Sequence, residues 1–498
     1  MWRSQMLPAL LALSQSCSAA VLYEGGTVIS YNHDNDSFEP IENASLLVEG
    51  DTISHLCAGA PDFEVPGNTT RINATDKIIS PGFIDTHHHL WQSAYKTIAS
   101  NTTLGEYFQR YGAYSPAQFE FTAEDNYLGQ LIGSLELLYD GTTTVLDHAH
   151  GGFSEDHVDA MVDAMVESGV RAVYAQSVDA YSNGYTWERQ IEKLRGLTQD
   201  SRFDSSLLDL GLAYDAFFSA PEANISTLWD IVYGNNLSAV TTHYLGGAWG
   251  FGNGPAILDE YNWLNTSIPV VFSHATFLDR TDVRLLRSHD QYVSVTPESE
   301  QHYGHGHPHA DKILDQAALG IDTHFTYGSS MVQQARLWMQ ALRVRRFEEA
   351  VFDDWEIPRN NPMSVDQAFR LITRSGALAI RRPDLGIISP GAKADLVVFK
   401  GDTPNMIGWR DPIAAIILHS QTGDMEDVMV GGRFAKRDGK LTYADYAALA
   451  RSFKQSAERI QQTWADMEWD ALTGSFQGFT PWTDVPLIDV VRGNGTGY

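Results

Sequence analysis

Eight short apolar runs between about residues 78 and 323, separated by polar or helix-patterned stretches, limit what this chain can fold into. They are Ile78 to Ile84, Thr143 to Asp147, Val170 to Val178, Leu207 to Tyr214, Ala239 to His243, Pro269 to His274, Tyr292 to Thr296 and Ala317 to Thr323. Ala123 to Tyr139 sets Leu128, Leu131, Ile132, Leu135 and Leu138 on one helical face, and Asp156 to Ser168 and Thr281 to Ser288 are shorter helical candidates. Eight βα units over roughly three hundred residues predict an α/β protein built on a (β/α)8 TIM-like barrel. A doubly wound open sheet is the alternative, but no Gly-rich phosphate loop supports it.

The flanks read differently. Residues 21–80 are short strands broken by Gly, Asn, Asp and Pro, too little for a self-sufficient sandwich. Asp395 to Phe399, Ile413 to His419 and Val428 to Val430, the last followed by a Gly431-Gly432 turn, look like the missing strands. The expected organisation is therefore a composite β-sandwich domain from 21–80 plus 386–440, a barrel over 81–385, and a C-terminal helix with an extended, partly disordered tail over 441–498. Further helices are expected at Ser330 to Phe347, Ser364 to Ala379 and Tyr443 to Trp464.

Residues 1–20 have the form of a secretory leader: Arg3, an apolar core Leu7 to Leu13 too short to span a bilayer, and small residues Ser18-Ala19-Ala20. Asn-x-Ser/Thr sequons begin at Asn35, Asn43, Asn68, Asn73, Asn101, Asn224, Asn236, Asn265 and Asn494, which with a leader points to a secreted glycoprotein. Removing the leader takes Cys17 and leaves Cys57 alone, so no intrachain disulfide is expected. A formal net charge of −29 argues against nucleic acid or anionic membrane as partner and leaves a small molecule, with self-association open.

The chemistry gathers at strand ends. In Pro81-Gly82-Phe83-Ile84-Asp85-Thr86-His87-His88-His89, strand alternation projects His87 and His89 together and turns His88 away. His243, His274 and Asp322 each end a further apolar run. In such barrels the carboxyl ends of the strands form one mouth, where three imidazoles and a carboxylate suit one divalent metal with a position left for water, zinc first and iron second. Asp322 is placed to take a proton from that water, and His274 to polarise substrate or hold a forming oxyanion. A second metal needs a bridging carboxylate, and the ends of the third and fourth runs, Gln176 to Asp179 and Ala213 to Ala216, hold no lysine or glutamate.

These motifs together give the chain a family likeness. Pro81 to His89, Gly141 to Thr144, Leu319 to Asp322, Thr373 to Ala377, and Gly386 with Pro390 to Leu396 resemble the amidohydrolase superfamily, in its triazine hydrolase and aminohydrolase (cytosine-, guanine- and adenosine-deaminase-like) branch. The resemblance implies metal at His87, His89, His243 and Asp322, with His274 beside it. One departure stands out. Deaminases of that branch carry His-x-x-Glu at the fifth strand, whereas this chain reads His243-Tyr244-Leu245-Gly246. Glu298, after the seventh run, is the candidate replacement proton shuttle. Gln92, Trp91 and Tyr303 are candidate substrate-binding residues, with Tyr181, Trp249 and Tyr327 as further pocket aromatics. Asp147, His148 and His150 are candidates for supporting the metal ligands, and His302, His305, His307 and His309 form a His-rich loop.

The functional expectation is a secreted, mononuclear metal hydrolase that attacks a C–N bond (amide, amidine, or ring amino or other leaving group) of a small cyclic or aromatic compound. Two alternatives remain at this point: a lyase or isomerase step, such as dehydration or decarboxylation, on the same site, and a non-catalytic secreted binding glycoprotein.

Overall fold

The computed structural model describes residues 20–205, 207–306 and 310–489. The leader through residue 19, His307, His309 and the sequon at Asn494 lie outside the described residues. Eight parallel strands form the barrel: β1 (Phe83–His88), β2 (Thr142–Ala149), β3 (Arg171–Ser177), β4 (Leu208–Ala213), β5 (Val240–Tyr244), β6 (Val270–His274), β7 (Tyr292–Val295) and β8 (Ala317–Leu319). Each pairs with the next in order. The ring is closed between β1 and the residues after β8: Asp322 N donates to His87 O at 2.8 Å and His89 N to Asp322 O at 3.0 Å. Three residues expected at the metal, His87, His89 and Asp322, thus also stitch the barrel shut. Its interior is filled by small and branched side chains, among them Ile84, Leu146, Val173, Ala175, Ala213, Val271 and Ala318.

A second sheet joins the two ends of the chain. Thr52–Ala58, Ser37–Glu49, Val21–Asn32 and Lys77–Pro81 lie side by side in that order; Lys77–Pro81 pairs with Leu396–Lys400, and the sheet continues through Met425–Val430, Arg433–Arg437 and Lys440–Leu441. Thr70–Asn73 adds a short parallel strand beside Val21–Asn32. The Gly431-Gly432 turn has φ of 52° and 73°, the left-handed geometry a tight hairpin needs.

Three expectations change. The run Ile78 to Ile84 is not one strand: Gly82 divides it between the two sheets. Any Cβ at Gly82 would sit 2.1 Å from the Thr143 hydroxyl, so only glycine lets the chain cross there. The run Ile413 to His419 is helical rather than extended, because Asp411 caps the backbone N–H groups of Ile413 and Ala414 and Pro412 occupies the first helical turn. The stretch Ser364 to Ala379 breaks into Val365–Leu371 and Arg374–Ala379.

Helix α1 (Ala123–Tyr139) begins with a reciprocal Thr122–Asp125 cap and buries Leu128, Leu131, Leu135 and Leu138, while Ile132 is half-buried. The long helix Tyr446–Asp466 docks on it, the Ser456 hydroxyl donating to Asp125 at 2.6 Å, and also meets the preceding helix Leu104–Arg110, Trp464 Nε1 donating to Arg110 O at 2.8 Å. The tail, through residue 489, is more ordered than its composition implied. It forms a small hairpin, Ser475–Phe476 with Thr480–Pro481, whose Phe476 packs on Phe108 and Trp249. Cys57 is half-buried and free.

Candidate metal centre

Strand β1 delivers its histidines as alternation requires. His87 and His89 point into the mouth. His88 turns away, with Nδ1 2.6 Å from Asp85 Oδ2 and Nε2 2.7 Å from His324 Nδ1, and the far nitrogen of His324 meets the Ser93 hydroxyl at 2.7 Å. This buried relay pins the turn that follows β1.

The tautomers of two expected ligands follow from their partners. His89 Nδ1 faces the His148 carbonyl oxygen at 2.8 Å, and a carbonyl only accepts, so Nδ1 carries the proton and Nε2 bears a lone pair. His243 Nδ1 faces the Asp215 carboxylate at 2.7 Å, with the same consequence. The two Nε2 atoms stand 3.3 Å apart, and Asp322 Oδ1 lies 3.1 Å from His89 Nε2 and 3.5 Å from His87 Nε2. His87 Nε2 is buried with no hydrogen-bond partner, while its Nδ1 meets the Ser273 hydroxyl at 2.7 Å. Lone pairs and a carboxylate facing one another at these separations repel unless a cation lies among them, so the residues fit a divalent metal.

The electrostatics agree. Burial pushes the His87 and His89 imidazoles below their ordinary range, favouring the neutral, ligating form. For His243 burial acts in the same direction, but the Asp215 carboxylate outweighs it and raises the group. Burial would raise the Asp322 carboxyl, yet the facing His87, His89 and His274 imidazoles hold it well below the carboxylate range. Its second oxygen accepts from the Ser299 hydroxyl. His274 Nδ1 lies 3.0 Å from the Thr296 hydroxyl and 3.6 Å from Glu300 Oε1, and the ring packs 5.3 Å from that of His87. His274, Ala275 and Asp322 have φ of 68°, 48° and 73°, left-handed conformations at about 1 to 2 kcal/mol each that cluster at this mouth.

Two sets of ligand atoms lie within 4.8 Å of one another: His87, His148 and His243, and His87, His274 and Asp322. His148 backs the centre, its Nε2 3.4 Å from Asp215 Oδ2. The His150 ring packs tilted against that of His89 with centroids 3.9 Å apart, and Asp147 Oδ1 accepts from Leu90 N at 3.2 Å. Asp215, Ser273, Ser299, Thr296 and Glu300 were not singled out as site residues from sequence. Asp215 carried the clearest signal, a carboxylate directly after the apolar run Leu207 to Tyr214.

The proposed replacement shuttle is corrected. Glu298 lies in the helix α2 (Pro297–Tyr303), and its carboxylate accepts from Gln333 and Gln334 of α3 (Met331–Glu348) at 3.0–3.1 Å. Glu298→Gln is expected to leave turnover within about twofold, measured on whichever substrate the enzyme accepts. Gly246 is not a simple lapse of the deaminase glutamate either. Its φ of 66° and ψ of −160° are open only to glycine, so the loop itself is built differently.

The expected substrate contacts are buried side chains. Trp91 is fully buried, its Nε1 3.1 Å from His150 Nδ1. Gln92 is fully buried and donates to Tyr107 Oη and Tyr111 O. Tyr303 is buried, with its hydroxyl 2.5 Å from that of Thr326. All three pack the wall around the centre. Of the His-rich loop, His305 reaches it, with its ring 4.7 Å from that of His274.

The chain belongs to the amidohydrolase family: the profile of that name matches residues 78–218 and 254–435. It is 23% identical over 433 residues to a 5-methylthioadenosine/S-adenosylhomocysteine deaminase of Thermococcus kodakarensis, covering 83% of this chain and 93% of the relative. It is also 23% identical to a 5'-deoxyadenosine deaminase of Methanothermobacter thermautotrophicus, covering 80% and 91%. Among solved structures, an adenosine deaminase from Xanthomonas campestris with bound zinc superposes with a TM-score of 0.76 at 19% identity, covering 89% of this chain and 99% of that one. Atrazine chlorohydrolase from Arthrobacter aurescens, complexed with zinc, superposes with a TM-score of 0.73 at 18% identity, covering 88% and 100%. The protein is an enzyme, a metal-dependent amidohydrolase acting on carbon–nitrogen bonds other than peptide bonds.

Proposed function

We propose that the protein hydrolyses a C–N bond of a small cyclic or aromatic compound at a single metal centre, with zinc as the resident metal. The observation that carries this reading is the convergence of the His89 and His243 Nε2 lone pairs, the orphan His87 Nε2 and the Asp322 carboxylate on one point of the barrel mouth. Three imidazoles and a carboxylate suit zinc before iron, and the two structural neighbours contain zinc. His87, His89, His243 and Asp322 would hold a divalent metal, which would supply Lewis acidity and lower the pKa of water. Asp322, kept ionised, takes the proton of the attacking water and delivers it to the leaving nitrogen. His274, aimed by Thr296 and Glu300, donates to the oxygen or ring atom on which negative charge develops. Asp215 keeps His243 in the ligating tautomer.

The relatives' names make ring amino groups of nucleoside-like compounds the first substrates to try, with cyclic amides and amidines next. Relatives of this kind favour hydrolysis over a lyase step or a purely binding role. The test is incubation with such a panel in isotopically labelled water. Release of ammonia or an amine, with solvent oxygen in the other product, is the expected result. A product without solvent oxygen would replace hydrolysis by elimination or isomerisation.

The reading includes secretion. Apart from the half-buried Asn224, the sequon asparagines among the described residues are exposed, as glycan acceptors must be. Among those residues no helix is long and apolar enough to cross a membrane. Glycosidase digestion of protein from the culture medium should lower its apparent mass. Retention inside the cell with an intact N-terminus would refute secretion.

A further inference from the structure

A cavity of about 290 Å³ opens at the barrel mouth, between the ends of β3 and β4. Its lining includes Tyr114, Tyr181, Trp187 and Tyr214, with the carboxylates Asp179 and Asp215. It shares walls with the metal centre. Asp215 holds His243, and the Tyr181 hydroxyl donates at 2.9 Å to the carbonyl of His150, whose ring packs tilted against that of His89. A slightly larger cavity, about 330 Å³, lies at the opposite end of the barrel, around the starts of β4 and β5, where such folds do no chemistry.

The two carboxylates differ. The charge of Asp215 is answered by His243 and His148. Among the described residues the Asp179 carboxylate accepts hydrogen bonds from neutral donors, the hydroxyls of Ser177, Tyr114 and Tyr181, the latter two at 3.1 Å. Among the described residues no Lys, Arg or His forms an ion pair with it. The neighbouring Arg189 stacks on Tyr185 and is paired with Glu155 at 2.6 Å. Burial pushes the Asp179 carboxyl up to about 6, and Asp215 adds to the rise. A carboxylate in a tyrosine- and tryptophan-walled cavity with no ion-pair partner among the described residues is a poor environment for an anion or a neutral apolar group. It is a good one for a cation, which gains from both the charge and the ring faces.

We infer that this cavity is a cation subsite for the substrate: it takes an ammonium or protonated ring nitrogen, with Asp179 as counter-ion and the aromatic side chains as walls, while the scissile C–N bond lies at the histidines. The substrate is then a cationic amine-bearing compound rather than a neutral nucleoside. This rests on the C–N hydrolase reading and narrows it.

The test uses the full-length protein and two probes of equal size, choline and its neutral carbon isostere dimethylbutanol, titrated calorimetrically. The wild type should bind choline about tenfold tighter or more. Asp179→Asn should erase that preference while keeping the affinity for the neutral probe within about twofold, with metal content and thermal midpoint confirming that the variant is folded. Equal affinities in the wild type, or a preference that survives Asp179→Asn, would overturn the subsite. Because the readout is binding, it is separable from turnover. A charge preference lost in the variant supports the subsite even if no C–N hydrolysis is found. Efficient hydrolysis of neutral substrates with no charge preference removes the subsite and leaves the reaction.

Discussion

Asp322→Asn is expected to lower kcat by about 10³-fold or more and to leave the fold intact. The carboxylate carries two duties: Oδ1 faces the lone pairs of His87 and His89, and Oδ2 is fixed by Ser299. Asparagine keeps the shape of the side chain but cannot take a proton from water, and its amide is a poorer partner for a cation. The backbone should tolerate it, because φ at this position is 73° and asparagine enters the left-handed region as readily as aspartate. The two main-chain bonds that close the barrel through residue 322 involve no side-chain atom. Steady-state kinetics beside metal analysis and a melting curve check this. Turnover within about threefold of wild type would remove the proton-transfer role from Asp322.

Arg171→Ala should cost the most stability of any single change outside the metal centre, about 3 to 5 kcal/mol. Arg171 opens β3 at the base of the barrel and grips Asp395 with two parallel bonds of 2.8 and 3.0 Å, both side chains almost fully buried. Asp395 in turn accepts from Gly431 N at 2.7 Å through its side chain and from Gly82 N at 2.8 Å through its carbonyl. One ion pair thus binds the barrel to the composite sheet at the point where the chain crosses between them. Truncating the arginine leaves a buried carboxylate with no charge to answer it, whereas replacing both residues by apolar ones should recover much of the loss. Urea unfolding of the two variants measures the difference. A loss below about 1 kcal/mol for the single variant would mean that the pair is solvated and does not hold the two sheets together.

What the sequence made legible were the ends of strands. An apolar run that stops at a histidine or aspartate carries its own direction and face, so His87, His89, His243, His274 and Asp322 could be placed at one mouth before any coordinates. What it hid were constraints set by distant partners. Gly82 divides two sheets because Thr143, sixty-one positions away, leaves no room for a Cβ. Glu298 and Glu300 would face the same way on an extended chain. They sit in a helix instead, about 200° apart, so Glu298 turns to α3 and Glu300 to His274. Pro297 at the first helical position was the available signal. Trp91 and Gln92, adjacent to the ligands in sequence, were natural choices for substrate contacts. The single turn Leu90–Tyr95 carries them inward, with Gly129 of α1 packed so closely that a Cβ there would meet the Trp91 carbonyl oxygen at 2.3 Å. The Asp215 contact to His243 depends on the register between β4 and β5, which the sequence does not state.

Elemental analysis of the purified protein, wild type beside His87→Ala/His89→Ala, tests the central claim most directly. One zinc per wild-type chain, lost in a variant that remains folded, is the predicted result. Two metals per chain would show that His148 or another neighbour builds a second centre. No metal, even after reconstitution with zinc or iron, would contradict the account outright.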